Sequence, residues 1–278
     1  MNANGLPIVA IIPQTAGPLV TGVDDIAVRM GQIGRACEQG MGRHQQLVLA
    51  NGLLDEVRAA MGETPHRVFV RQESQIGGMP SIVSALQFLN GTRAGEFYCV
   101  AADAPVTPQS VRVLRTKLRS SGAAMVLLTR RIGDPDADCD RVLQAQDAPG
   151  AEVLAVVAQS AIAAMKPGEV VSFETHDGQY LHYAREQLLG VRYSSVAAYG
   201  WQLGPLRKHI GEIPKVGGQA SQVADLVTVL RKHRFMVRAF PMDYADQSTV
   251  LDPCDLLERA GRACSELVSV ASRKPASG

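Results

Sequence analysis

The stretch Glu96-Phe97-Tyr98-Cys99-Val100-Ala101-Ala102-Asp103-Ala104-Pro105-Val106-Thr107-Pro108 changes character twice. Glu96 to Ala101 is apolar after its first residue, as expected of a strand covered on both faces. Asp103 then interrupts the run, set between alanines and followed by a proline that marks a turn. Thr107 suits an N-cap and Pro108 the first helical position, which predicts a helix to about Ser120. A strand, a carboxylate just past its end and a helix together form the repeating unit of an open α/β sheet. Ligands of such sheets bind outside the carboxyl ends of the strands.

The same alternation extends in both directions. Ile8–Ile12, enclosed by Pro7 and Pro13, reads as a buried strand. Asp24 to Met41 carries Ile26, Met30, Ile33 and Cys37 at helical spacing, with Gly40 and Gly42 placed to end the helix. Strands are expected at Gln46–Ala50, Arg67–Val70 and Ala123–Thr129, with helices at Leu53–Met61 and from Pro80 through Leu89. After Thr129 the style changes. An acidic loop from Gly133 to Asp140 leads into short strands at Arg141–Ala145, Val153–Val157, Val170–Thr175, Tyr180–Tyr183 and Val191–Tyr199. This middle third reads as antiparallel or mixed. A helix over Gln219–His233, a strand over Phe235–Phe240 and a closing helix over Cys254–Val270 follow. The expectation is an α/β protein with a mainly parallel central sheet and an inserted mixed-strand lobe, one domain over 1–271 and a disordered tail over 272–278.

Composition narrows the function classes. The 278 residues contain 28 Lys plus Arg against 27 Asp plus Glu, a formal net charge of +1. No basic excess points to nucleic acid or to an anionic membrane surface. No apolar run is long enough to span a bilayer, and the first residues lack a basic, apolar leader pattern. Five scattered cysteines, none in a C-x-x-C pair, fit a reducing cytoplasm and buried thiols better than disulfides or a structural zinc site. None of the six histidines has H-E-x-x-H spacing; His176 and His182 are placed to face each other across a hairpin. No Walker A motif, nucleophile elbow or G-x-G-x-x-G follows any strand.

Asp103 is the leading candidate for chemistry. A carboxylate at the end of a strand either holds Mg²⁺, which prefers oxygen ligands and substrate phosphates, or caps the turn and helix that follow. Asp252 stands in a similar place before the last helix, as a second metal ligand or an N-cap, with Asp243 and Asp246 nearby. Asp134, Asp136, Asp138 and Asp140 lack the central glycine and final glutamate of a calcium loop and read as a solvated loop. In Gln72-Glu73-Ser74-Gln75-Ile76-Gly77-Gly78 the glycines let backbone approach a ligand, and the two glutamines can pair with a base edge.

Taken together, these segments resemble the sugar-nucleotide pyrophosphorylase family, most of all the uridylyltransferase domain that makes UDP-N-acetylglucosamine. Gln72–Gly78 resembles the family's base-reading Q-x-x-x-x-G-T, and Phe97–Pro108 its strand and G-D-x-P-L metal turn. Ser195–Leu206, SVAAYGWQLGPL, resembles its N-x-G-x-Y-x-F-x-x-x-x-L segment, and Gln222–Leu257 its closing helix, strand and V-N-D. The resemblance implies a Rossmann-like nucleotidyltransferase fold of the glycosyltransferase-A type. It also implies transfer of a nucleoside monophosphate from a nucleoside triphosphate to a sugar 1-phosphate, with Mg²⁺ and release of pyrophosphate. It places Asp103 and Asp252 on the metal, Gln14, Gly17, Gln72, Gln75, Gly77 and Gly78 on the nucleotide, and Asp140 and Ser195 on the sugar.

One departure bears on activity. The family's basic, glycine-rich first loop is replaced by Pro13-Gln14-Thr15-Ala16-Gly17-Pro18, and no basic residue occurs before Arg29. Arg29 or Arg35 would then have to supply the positive charge that phosphoryl transfer needs. Two alternatives stay open beside the active transferase. One is a catalytically impaired relative that binds a nucleotide or nucleotide sugar, or that partners an active paralogue; a homo-oligomer is also among the expected partners. The other is a glycosyltransferase of the same fold.

Overall fold

Seven strands share one sheet: β1 (Ile8–Ile12), β2 (Gln45–Ala50), β3 (Arg67–Arg71), β4 (Glu96–Ala101), β5 (Met125–Arg131), β10 (Tyr193–Gln202) and β11 (Val237–Pro241). Their spatial order is β11-β5-β10-β4-β1-β2-β3 in the computed structural model, which describes residues 5–13, 23–50, 54–71, 78–89, 92–133, 139–213 and 223–242. Neighbouring strands run parallel except β10, which is antiparallel to both β4 and β5. The order reverses at β1: β2 and β3 lie on one side of it, and the chain then returns to place β4 on the other. The crevice over the carboxyl ends of β1 and β4 is therefore the topological switch point, where open α/β sheets bind ligands.

Strand burial explains the apolar runs. Every residue of β1 is buried, as are Gln46–Ala50 of β2 and Phe97–Ala101 of β4, so both faces of the sheet are covered. The helices form two groups. α1 (Val23–Met41) packs with α2 (Leu54–Met61) and with α4 (Pro108–Ser120). Arg67 binds the first pair to β2: its guanidinium contacts Glu38 at 2.6 Å, Gln46 Oε1 at 2.7 Å and the carbonyl of Gly62 at 2.6 Å. On the other side α3 (Gly78–Phe88) meets α7 (Leu203–His209), whose Arg207 donates to the carbonyl of Leu89 at 2.6 Å, and α7 packs on α8 (Val223–Lys232).

Two expectations need correction. Gly40 does not end α1; it lies inside the helix, and a Cβ there would meet the Pro108 carbonyl oxygen at 2.2 Å. Its lack of a side chain lets α1 and α4 touch backbone to backbone. Gly42, at φ +64°, is the residue that stops the helix. Second, His176 and His182 do not face each other: the partner of His182 is Ser172, at 2.7 Å from its Nδ1.

Between β5 and β10 the chain forms the expected lobe. β6 (Arg141–Gln144) pairs antiparallel with β7 (Val153–Val157), and β8 (Val170–Glu174) with β9 (Tyr180–Ala184). The short α5 (Gln159–Ala164) and α6 (Arg185–Leu189) complete it. Leu143, Leu154, Ala155, Ile162 and Leu188 make a core of their own. Arg231 of α8 fastens this lobe by an ion pair to Glu152 at 2.5 Å and a bond to the Val153 carbonyl at 2.6 Å. Among the described residues no helix is long and apolar enough to cross a membrane. The expected closing helix and tail lie outside the described residues.

Candidate functional site

The turn after β4 is built by its small residues. The amide of Ala102 donates to Ile12 O at 2.8 Å, that of Ala104 to Ala101 O at 3.0 Å, and that of Val106 to Ala104 O at 2.9 Å. Ala102 and Ala104 are buried while Asp103 between them is exposed. Ile12 and Ala101 are the last paired residues of β1 and β4. The turn thus presents Asp103 at the switch point. The cap of α4 is supplied elsewhere: Thr107 accepts from Ser110 N at 3.4 Å, and its own amide donates to Ser110 Oγ at 2.8 Å. The Thr107–Ser110 box thus takes over the helix-capping part of the structural reading of Asp103, and capping of the turn itself stays open.

β10 brings a second group to the same place. Its register against β5 shifts between Ser195 and Tyr199, and Ala197 sits in the bulge at φ +55°. A left-handed alanine costs about 1–2 kcal/mol, and such strain concentrates at functional sites. The Ser195 hydroxyl donates to the Tyr199 phenol at 3.0 Å and accepts from the Ala197 amide at 3.2 Å. Burial pushes the Tyr199 phenol well above its ordinary range. The bond from Ser195 opposes this, and the charges of Asp140 and Asp103 add to it. Ser195 thus bonds Tyr199 directly, and Asp103 and Asp140 each lie near enough for their charge to act on its phenol. Cys99, opposite Tyr199, is held as a neutral thiol by burial, and Cys37 is pushed up to about 12 for the same reason. These buried thiols are not nucleophiles.

A cavity of about 610 Å³ opens where β5 ends and β10 begins, lined by Arg131, Gly133, Gly190 and Arg192 among others. It supplies cationic groups on the carboxyl side of the sheet. Arg29 is exposed on α1 six residues from its start at Val23, roughly 9 Å along the helix axis. The Arg35 guanidinium lies beside Gly31, toward the Ala60 carbonyl of α2, further from that edge.

Of the candidates read from sequence, Asp103, Asp140 and Ser195 all act on Tyr199, and Gly78 opens α3. Gln14, Gly17, Gln72, Gln75, Gly77 and Asp252 lie outside the described residues. Sequence did not single out Tyr199, Arg131 or Arg192. For Tyr199 a regular strand gives no signal, since four residues span about 13 Å and only the bulge brings its phenol to Ser195. For the arginines there was none, because only the pairing of β5 with β10 makes them neighbours.

The chain superposes on CMP:2-keto-3-deoxy-manno-octonic acid synthetase complexed with CTP, with TM-score 0.53, 14% identity, and coverage of 85% of this chain and 90% of that one. It superposes on apo UDP-glucose pyrophosphorylase with TM-score 0.57, 9% identity and the same two coverages. At such identities the likeness is one of fold, and it bears out the expected α/β nucleotidyltransferase architecture with its mostly parallel central sheet. No family model matches the chain, and no curated protein matches its sequence.

Proposed function

We propose that this protein transfers a nucleoside monophosphate from a nucleoside triphosphate to a sugar 1-phosphate or a similar phosphate-bearing acceptor, releasing pyrophosphate. The observation that carries the reading is the exposed carboxylate of Asp103 at the switch point, with α4 capped by the Thr107–Ser110 box instead. Two nucleotide-linked proteins of the same fold support it.

Asp103 offers hard, exposed oxygen donors, which suit Mg²⁺. Asp103, with Asp252, would hold the ion, which neutralises triphosphate charge when bound. The chain's own residues do the rest by position. Gln72 and Gln75 pair with the base, and Gln14, Gly17, Gly77 and Gly78 offer backbone to the phosphates. Asp140 and Ser195 contact the acceptor's hydroxyl groups. Arg131 and Arg192 hold its phosphate, with Arg29 adding charge from α1; these replace the cations absent from the first loop.

The test is pyrophosphate release from each of ATP, CTP, GTP, UTP and dTTP with sugar 1-phosphates and Mg²⁺, for the wild type and Asp103→Asn. The reading expects turnover with one nucleotide and a loss of at least about 10²-fold in the variant. Full activity in Asp103→Asn would overturn it. Tight nucleotide binding without release under any condition would instead establish the impaired, partner-type relative, which the absence of a basic residue between Ile12 and Arg29 motivates.

A further inference from the structure

The opposite end of the sheet carries a second cluster. β10 runs against its neighbours, so α7, which follows it, starts on the amino side of the parallel strands; α8 likewise ends there, just before β11. His209 closes α7, Glu212 stands three residues on, and His233 follows α8. His209 Nδ1 lies 2.7 Å from Glu212 Oε1, and His233 Nε2 lies 2.6 Å from Glu212 Oε2. The two imidazoles stack with centroids 3.8 Å apart and planes 28° from parallel. The His209 side chain is 5% exposed, His233 32% and Glu212 40%, so the cluster has one buried wall and one open side. The three donor atoms all lie within 4.8 Å of one another.

Two imidazole nitrogens and a carboxylate converging from separate segments form a His₂Glu set, the donor combination that binds Zn²⁺ with one position left for water. Ligands of a tetrahedral ion at 2.0–2.1 Å stand about 3.3 Å apart. The two hydrogen-bonded pairs, at 2.7 and 2.6 Å, therefore open by about 0.6–0.7 Å, and the widest pair, within 4.8 Å, closes by at most about 1.5 Å. The exposed Glu212 allows this. Nitrogen donors select borderline metals over Mg²⁺, which demands oxygen. We infer that His209, Glu212 and His233 form a Zn²⁺ site with one open coordination position on the amino side of the sheet, joining the α7 turn to the end of α8. It is separate from the Asp103 region and does not depend on the proposed activity.

The full-length chain, stripped with chelator, is titrated with Zn²⁺, Co²⁺ and Mg²⁺ while thermal unfolding and visible absorption are followed. At about 100-fold excess over Kd, Zn²⁺ should raise Tm by roughly 5 °C. Co²⁺ should give the d–d absorption of a four-coordinate ion, and Mg²⁺ should do neither. His233→Ala and Glu212→Gln should lose both signals. His233→Cys, which keeps a ligand at that position, should regain Co²⁺ absorption with a thiolate band. The site is refuted if the wild type gives neither Zn²⁺ stabilisation nor Co²⁺ absorption. It is refuted equally if the responses persist unchanged in the variants, which would mean that the metal binds elsewhere.

Discussion

Gly40→Ala tests the packing that sets the position of the site. In a free helix the added methyl would stabilise by about 0.5–1 kcal/mol, because glycine loses more backbone entropy on folding. Here the new Cβ meets the Pro108 carbonyl oxygen at 2.2 Å and Val111 Cβ at 2.9 Å, whereas real Cβ contacts shorter than 3.0 Å are essentially not seen. The obstacle is backbone, so α4 must retreat by about 0.8 Å from α1. Overpacking of this kind costs about 1–3 kcal/mol, leaving a net destabilisation of about 1–2 kcal/mol. Gly34→Ala in the same helix is the comparison. Its Cβ clashes with the terminal methyl of Met61 alone, at 2.6 Å, with Gln46 Oε1 at 3.7 Å and Arg67 Nη2 at 3.8 Å in ordinary contact, and a methionine end can swing away. Gly34→Ala should be neutral or slightly stabilising. Urea unfolding followed by circular dichroism should separate the two midpoints by the equivalent of about 2 kcal/mol at equal slope. Because Pro108 lies five residues beyond Asp103, the retreat of α4 should also lower turnover under the proposed activity, by up to about 10²-fold. Equal midpoints, or a more stable Gly40→Ala, would refute the close-approach argument.

Arg67→Met removes a guanidinium only 3% exposed and leaves Gln46 Oε1 and Glu38 without it; equilibrium unfolding should show a loss of about 2–3 kcal/mol. Hydrogen bonds from His233 and His209 hold the Glu212 carboxyl at about 2, below its ordinary 4.5. A depressed carboxyl pKa stabilises the fold above the unfolded value, and this contribution is lost as pH falls from about 4.5 to about 2. Across that window the stability difference between the metal-free wild type and Glu212→Gln should shrink toward zero, read from urea midpoints at successive pH values. Arg192→Ala should raise the KM for the phosphate acceptor at least about tenfold while leaving nucleotide affinity unchanged, as measured by initial rates and nucleotide titration.

What the sequence discloses follows from burial. β1 and β4 are covered on both faces, so they read as unbroken apolar runs, and β4 falls at Glu96–Ala101 as expected. α4 is equally plain, because Thr107 and Pro108 carry its start in their own chemistry. Short elements are silent: α5, α6 and α7 span five to seven residues, too few for a 3.6 period to declare itself. The direction of β10 is also invisible, since a strand's composition does not tell which way its neighbours run. Gly40 misleads because glycine near a helix end serves both as a stop and as a gap for a neighbour, and only the neighbour decides. Asp103 is legible from its place after β4. The His209–Glu212–His233 cluster is not, because 24 residues separate the two histidines and only the docking of α7 on α8 closes the distance.

The reversed strand in the middle of the sheet also governs when the sheet can be completed. β4 pairs with β1 and β10, and β5 pairs with β10 and β11, so β10 alone joins the two halves. A ribosome that has released the chain only through β9 has delivered β1 to β4, a parallel half-sheet able to assemble, and β5 with nothing beside it. Both β4 and β5 then present open, apolar hydrogen-bonding edges until Tyr193–Gln202 emerges. β10 seals both at once, pairing Tyr199 with Cys99 on one side and with Leu127 on the other, across chain separations of 100 and 72 residues. Completion of the sheet thus waits for the whole lobe to be synthesised, and unpaired strand edges of this kind are the general sites of aggregation during folding.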